Sequence, residues 1–161
     1  MNTENFDAYA KQKQFDNEIV REYRMYEDWA RKVDLPVYQL CILYELLANK
    51  KLTQKQLIMV TNFPKQTINK GVLNLKQAGY VVFEEVKLDH RQKMIILTKN
   101  GYAYAVKKIG PLFKLEATVF EKLGPKKSKQ LLELLRLYGD IFEQETKKYW
   151  KTKMDQKGEY K

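Results

Sequence analysis

The feature that most constrains the fold is a run of signals in residues 52–98, where two short helices are followed by two strands. Thr53 and Gln56 have the spacing of a capping box, which predicts the start of the first short helix. A second helix is predicted over residues 64–78, with a proline in its first turn and Gly79 as its C-terminal stop signal. The chain therefore turns sharply between two helices and then leaves helical structure.

Residues 80–86 and 94–97 are rich in β-branched and aromatic side chains, which is typical of strands. The polar segment 87–93 joins them as a hairpin. An apolar-faced helix over residues 37–48 precedes this unit and completes a three-helix core. The predicted fold is mainly α: a winged helix-turn-helix, with a three-helix core and a β-hairpin wing.

Long amphipathic helices are predicted on both sides of this unit. Residues 6–32 lack proline and glycine, whereas Pro111 is predicted to kink or interrupt the helix that follows the wing. Gly124 and Pro125 predict a break before the last helix. The predicted divisions are an N-terminal dimerisation helix (residues 1–34), a winged domain (35–104), C-terminal dimerisation helices (105–150) and a polar tail (151–161).

The charge of the chain is strongly basic and unevenly placed. The net charge is +10, and no acidic residue occurs between Glu45 and Glu84. A long stretch without carboxylates is suited to a surface that approaches phosphates, so double-stranded DNA is the predicted partner. A lysine-rich face that is merely solvated is the alternative that charge alone leaves open.

The helix over residues 64–78 has two different faces. Ile68, Val72 and Leu75 recur at core spacing, and Gly71 predicts close approach by a neighbouring element, taken to be the preceding short helix. Amides and cations of this kind can bond base edges or phosphates. The alternative is an ordinary amphipathic helix with a wet polar face. The predicted DNA contacts are Lys65, Gln66, Thr67, Asn69, Lys70 and Asn74.

The hairpin tip supplies a second set of candidate contacts. Arg91 on a projecting loop can enter a minor groove, and Asp89 can aim its guanidinium through a paired hydrogen bond. The alternative is a surface ion pair of little energetic value. The predicted wing contacts are Lys87, Asp89, His90, Arg91 and Lys93.

These motifs together resemble the multiple-antibiotic-resistance repressor (MarR) family of bacterial transcription regulators. Pro64 stands where that family has a serine, and Asn69-Lys70 where it often has Ser-Arg. The resemblance implies a cytoplasmic, nucleoid-associated homodimer, a repressor that binds a palindromic operator and responds to a small aromatic effector. The matching segments are Leu52-Thr53, Leu57, residues 66–70, Leu75 to Gly79, Asp89-His90-Arg91, and Leu97-Thr98 with Gly101.

Two groups of apolar residues bear on these expectations. One group exceeds what a small winged domain can bury, which independently favours a dimer. It comprises Phe6, Tyr9, Phe15, Ile19, Phe113, Val119, Phe120, Leu131, Leu135, Tyr138, Phe142 and Trp150. The other group is a candidate effector pocket, with core or dimer packing as the favoured alternative. It comprises Tyr23, Tyr26, Trp29, Tyr38 and Tyr44.

Other classes of function find little support in the sequence. The chain has one cysteine and one histidine, without metal-ligand spacing, and no phosphate loop or nucleophile elbow. We therefore expect no enzyme, no cofactor and no metal, and no signal peptide or membrane span. The sequence around Cys41 resembles a redox-sensing segment, but the favoured role of this cysteine is packing in the protein interior. The rival functions are an architectural DNA-binding protein without an effector and a winged helix that docks a protein.

Overall fold

The computed structural model describes the backbone of residues 3–86 and 89–158, and the side chains of residues 6–85 and 93–154. Its elements follow the order that the sequence predicts, with one additional short strand. In chain order they are α1 Thr3–Lys32, α2 Val37–Asn49, β1 Lys51–Thr53, α3 Gln54–Thr61, α4 Lys65–Gln77, β2 Val81–Val86, β3 Asp89–Leu97 and α5 Lys99–Gly158.

The three strands form one antiparallel sheet in the order β1-β3-β2. In β1, Leu52 pairs with Ile95 of β3, and in β2, Phe83 pairs with the same residue from the other side. The β1 strand was not predicted because three residues are too few to show an alternating pattern. It attaches the start of α3 to the base of the hairpin, so the wing and the helix pair share one framework.

The core lies where α2, α3 and α4 meet the sheet. The central residues of α2 are fully buried, and Leu57, Ile95 and Ile109 join them from three other elements. Fully burying a side chain of this size contributes about 1.5–3 kcal/mol. The predicted winged helix-turn-helix class is therefore confirmed. The buried residues of α2 are Leu40, Ile42, Leu43 and Leu46.

The chain divides into two compact units, one ending at Phe113 and the other beginning at Lys114. In the first unit, the indole nitrogen of Trp29 donates a hydrogen bond to the carbonyl of Lys108 at 3.1 Å, which joins α1 to the start of α5. Phe113 packs its ring 4.5 Å from that of Tyr44. Phe113 therefore packs against the core of its own unit. It does not belong to the excess apolar surface in which the sequence analysis placed it.

The predicted interruption at Pro111 is wrong. Helical backbone continues through Pro111, and the one residue of α5 with non-helical dihedral angles is Gly124, with φ 75° and ψ 163°. A proline disfavours helix partly through a clash with the Cβ of the preceding residue, and Gly110 has none. The break predicted at Gly124 and Pro125 is confirmed.

The second unit carries the last helix, which is longer than predicted. It continues past Trp150 to Gly158, through the stretch expected to be a polar tail. No proline or glycine intervenes before Gly158, and local contacts support these turns. The Lys148 ammonium lies 2.6 Å from the Glu145 carboxylate, and the Thr152 hydroxyl donates to the Lys148 carbonyl at 3.1 Å.

Candidate nucleic-acid interface

The helix pair α3–α4 is built by local signals in the sequence. The Gln56 amide donates to the Thr53 hydroxyl at 3.2 Å, and the Thr53 amide donates to the Gln56 side chain at 2.8 Å, which confirms the predicted capping box. Asn62 has φ 54° and ends α3 in the left-handed conformation, with its N–H bonded to the Ile58 carbonyl. The turn before α4 is therefore encoded by a few residues.

The inner face of α4 is closely packed. Ile68, Val72 and Leu75 are buried, as predicted. A Cβ on Gly71 would lie 2.6 Å from Cδ1 of Ile42 and 3.0 Å from the Tyr38 ring, both on α2. The close approach inferred at Gly71 is real, but its partner is α2 and not the preceding helix α3. Because α2 crosses directly behind α4, the opposite face of α4 is turned outward.

That outward face presents most of the predicted contact residues. Lys65, Gln66, Lys70 and Asn74 are exposed, whereas Thr67 and Asn69 are half-buried. The face also contains Leu73, which is 52% exposed and seven residues after Gln66. The predicted contacts are all polar residues and so omit Leu73, although its helical spacing from Gln66 indicates the same face. An outward apolar side chain can contact thymine methyl groups.

Asn69 has a partner that the sequence analysis missed. The side-chain amide nitrogen of Gln54, the first residue of α3, donates a hydrogen bond to Oδ1 of Asn69. Both side chains are partly accessible to solvent. Their separation of 15 residues gives no local sequence signal, so only the packing of α3 against α4 reveals the pair.

The charged side chains of residues 46–83 are all basic. All the lysines of the stretch without carboxylates are exposed. Lys76 lies over the ring of Phe83, with its ammonium 4.9 Å from the ring centroid, which places this charge beside β2. The combined positive charge favours a polyanion. These lysines are Lys50, Lys51, Lys55, Lys65, Lys70 and Lys76.

The C-terminal end of α4 is clamped to the start of α5. Gly79 has φ 73°, and the Tyr80 amide donates back to the Leu75 carbonyl at 2.8 Å. The Thr98 hydroxyl donates to the Gly79 carbonyl at 2.7 Å and accepts from the Gly101 amide at 2.9 Å. The pattern from Leu97 to Gly101 thus fixes the direction in which α4 leaves the core.

The wing is formed by β2 and β3. Lys93 is exposed, and it pairs in register with Glu85 of β2, which is exposed as well. The other predicted wing contacts lie outside the residues whose side chains the structure describes, so their role stays a prediction. They are Lys87, Asp89, His90 and Arg91.

The aromatic residues predicted to line an effector pocket have different surroundings. Tyr26, Trp29, Tyr38 and Tyr44 are partly buried and pack against the core. Tyr23 is exposed on α1, and its pKa is raised by burial of the hydroxyl and by the Glu27 carboxylate. Packing against the core is the alternative that the sequence favoured; a role in effector binding stays a prediction.

Cys41 lies in α2 and is partly buried. Burial raises the pKa of its thiol to about 11, and the Glu45 carboxylate adds to the effect. The thiolate is the reactive form, so this environment favours an inert packing cysteine.

We expect Cys41 to react slowly with a thiol reagent such as dithionitrobenzoate near neutral pH, with the rate rising as the pH approaches about 11. The control is the same protein in denaturant, where the thiol regains its ordinary pKa and reacts fast. Equal rates for folded and unfolded protein near neutral pH would contradict this placement.

The next observations concern metal sites and membrane-spanning helices in the described part of the chain. There, no group of three or more histidine, cysteine, aspartate or glutamate side chains is arranged to hold a metal ion. Nor does any helix in that part have the length and apolar character needed to cross a bilayer.

The chain is similar in sequence and in fold to known proteins. Residues 33–92 match the model of the MarR family. No curated protein sequence matches the chain. Among solved structures, NMB1585, a MarR family regulator from Neisseria meningitidis, is 25% identical with a TM-score of 0.74, over 83% of this chain and 94% of that one.

Two further structures share the fold. Sco3205, a MarR family transcriptional regulator from Streptomyces coelicolor solved in complex with DNA, is 21% identical with a TM-score of 0.60, over 81% of this chain and 87% of that one. NadR in complex with 4-hydroxyphenylacetate is 21% identical with a TM-score of 0.64, over 77% and 89% of the two chains. The capped helix pair, the clamped α4 and most of the two-stranded wing thus lie in a segment, residues 33–92, that matches the MarR family, and the chain shares the fold of MarR family regulators.

Proposed function

We propose that this protein is a homodimeric repressor that binds a palindromic DNA operator through α4 and the wing and is modulated by a small aromatic ligand. The observation that carries the proposal is the outward face of α4, where Lys65, Gln66, Lys70 and Asn74 are exposed within a stretch free of carboxylates. Such a face offers base-edge donors and acceptors together with phosphate-binding cations.

The dimer part of the proposal is supported by apolar surface in each unit. In the first unit, α1 exposes Phe6 to 68% together with Tyr9 and Ile19. In the second unit, the last helix exposes Phe142 to 63% together with Leu134. Exposed large apolar side chains in this number favour an interface, and a second copy of the chain is the partner that the family resemblance implies.

The operator can be identified by selecting bound duplexes from a randomised DNA library, with the solution mass of the protein measured in parallel. We expect a mass twice that of the chain and a palindromic site with half-sites about one helical turn apart. Recovery of unrelated sequences would favour an architectural DNA-binding protein instead. A monomer that selects a single half-site would refute the dimer.

The wing contributes a prediction of its own. Replacing Arg91 by alanine should weaken binding to the selected duplex about tenfold and reduce the preference for A·T-rich flanks, because an arginine in a narrow minor groove is lost. Lys93→Ala is the matched control, because Lys93 is an exposed basic residue two positions further along β3. It should weaken binding to all duplexes alike. An unchanged flank preference in Arg91→Ala would exclude the minor-groove role.

The ligand part is supported by fold likeness to NadR, whose structure contains 4-hydroxyphenylacetate. Exposed Tyr23 on α1 and the partly buried Tyr26, Trp29, Tyr38 and Tyr44 supply aromatic surface for such a molecule. The probe is 4-hydroxyphenylacetate itself, titrated into the complex of protein and selected duplex. If the probe releases DNA from the wild-type protein but not from Tyr23→Ala, the ligand part is supported. If saturating probe leaves the wild-type complex intact, 4-hydroxyphenylacetate is not the ligand.

A further inference from the structure

Leu73 is an apolar side chain at the centre of the polar outward face of α4. It is 52% exposed, whereas the three other aliphatic side chains of the helix are buried. Two turns of an α-helix take about seven residues, so Leu73 projects from the same side as Gln66. The exposed stripe along the middle of this face consists of Gln66, Lys70, Leu73 and Gln77.

The neighbours of Leu73 restrict what can cover it. Lys70 and Lys76 stand three residues before and after it, both are exposed, and α4 contains no carboxylate. Two copies of the chain packed face to face here would bring like charges together, which is unfavourable. A fitting partner must present negative charge and an apolar group side by side. The major groove of DNA does so, with phosphates along its edges and the 5-methyl group of thymine on its floor.

The chemistry of a leucine side chain favours one base edge over the others. Leucine neither donates nor accepts a hydrogen bond, so it gains nothing from the acceptors of guanine or the N4 donor of cytosine. Packed against those groups, it would displace their water without replacing the hydrogen bonds, which costs affinity. Packed against a thymine methyl group, it removes apolar surface of both partners from water, which is favourable.

We propose that Leu73 is a specificity-determining residue, which packs against the 5-methyl group of one thymine in each half-site of the operator. The inference rests on the proposed function, because it needs α4 to lie in a major groove. Leu73 lies about 10 Å along the helix from Gln66, which corresponds to roughly three base-pair steps of DNA. The thymine is therefore in a different base pair from the one that Gln66 contacts.

The test changes one methyl group of the DNA at a time. Selection from a randomised duplex library with the full-length protein first gives the operator sequence. Each thymine on either strand of one half-site is then replaced in turn by deoxyuridine, which keeps the hydrogen-bonding groups of thymine and lacks only its methyl group. Fluorescence anisotropy gives the affinity of each duplex for the wild-type protein and for Leu73→Ala. The control variant is Leu115→Ala, which removes a leucine of the second unit that is also 52% exposed.

For the wild-type protein, we expect deoxyuridine at one position to weaken binding about fourfold, the effect of one buried methyl group. Leu73→Ala should bind that duplex and the thymine duplex equally, because the shortened side chain does not reach the methyl group. Cytosine at the same position should weaken wild-type binding further, and 5-methylcytosine should recover part of that loss, since it restores the methyl group alone. Leu115→Ala should keep the wild-type sensitivity to deoxyuridine.

Three results would overturn the inference. In the first, no thymine methyl group affects wild-type binding, and in the second, every methyl effect persists in Leu73→Ala. In the third, the selected half-site contains no T·A base pair. A wild-type protein that selects no sequence at all would instead refute the proposed function, which is a separate outcome. Circular dichroism of each variant confirms that it is folded before affinities are compared.

Discussion

Replacing Gly101 by alanine should lower the free energy of unfolding by about 3 kcal/mol or more. A Cβ at this position would lie 1.8 Å from the carbonyl oxygen of Tyr80 and 2.6 Å from its carbon. Both atoms are backbone, and rotation of a side chain cannot relieve the overlap. The Tyr80 backbone is itself held at both ends, by Leu75 and by Thr98. The junction between α4 and α5 must therefore separate.

The matched control is Gly139→Ala, in the last helix. A Cβ there meets nothing within 4 Å, and alanine is the better helix former by roughly 0.5–1 kcal/mol. Urea unfolding of both variants should therefore give midpoints that move in opposite directions from the wild type. Equal midpoints for Gly101→Ala and the wild type would contradict the close contact at Tyr80. Because the same junction aims α4, any folded Gly101→Ala protein should also bind DNA weakly.

Replacing Lys70 by glutamate should weaken DNA binding about 100-fold at low salt. Lys70 is exposed on the outward face of α4, so the change removes a cation from the centre of the proposed interface and sets a carboxylate against the phosphates. The slope of log affinity against log salt should fall by about 1 for each phosphate contact that is lost.

Lys122→Glu makes the same change in net charge on the second unit, where Lys122 is exposed. It should alter the affinity by no more than about twofold, since Lys122 is not one of the proposed DNA contacts and salt screens the attraction of charges that make no contact. Fluorescence anisotropy with one labelled duplex measures both variants. Equal losses in the two variants would mean that the whole charge of the protein attracts DNA and that α4 has no special part.

Local chemistry made much of this fold predictable. The capping box of Thr53 and Gln56 and the stop at Gly79 act within a few residues, and both lie where they were predicted. The buried stripe of α4 was equally legible, because burial of one helix face imposes a regular spacing. The outward face, which carries the proposed contacts, follows from that stripe.

Features that depend on distant partners were not predictable. The partner of Gly71 proved to be α2, and β1 exists because β3 offers it an edge. The bond between Gln54 and Asn69 joins two helices and leaves no periodic trace in the sequence. Pro111 does not interrupt α5, because the residue before it is a glycine, whose missing Cβ relieves one of the clashes by which proline disfavours helix.

Under the proposed function, this protein recognises a particular DNA sequence through α4. The most direct test is fluorescence-anisotropy titration against the DNA just upstream of its own gene, at two salt concentrations and with unrelated competitor DNA. We expect tight binding that resists competitor, falls steeply with salt and is lost in Lys70→Glu. Weak binding that competitor abolishes at both salt concentrations would contradict the claim and leave only non-specific attraction between a basic protein and a polyanion.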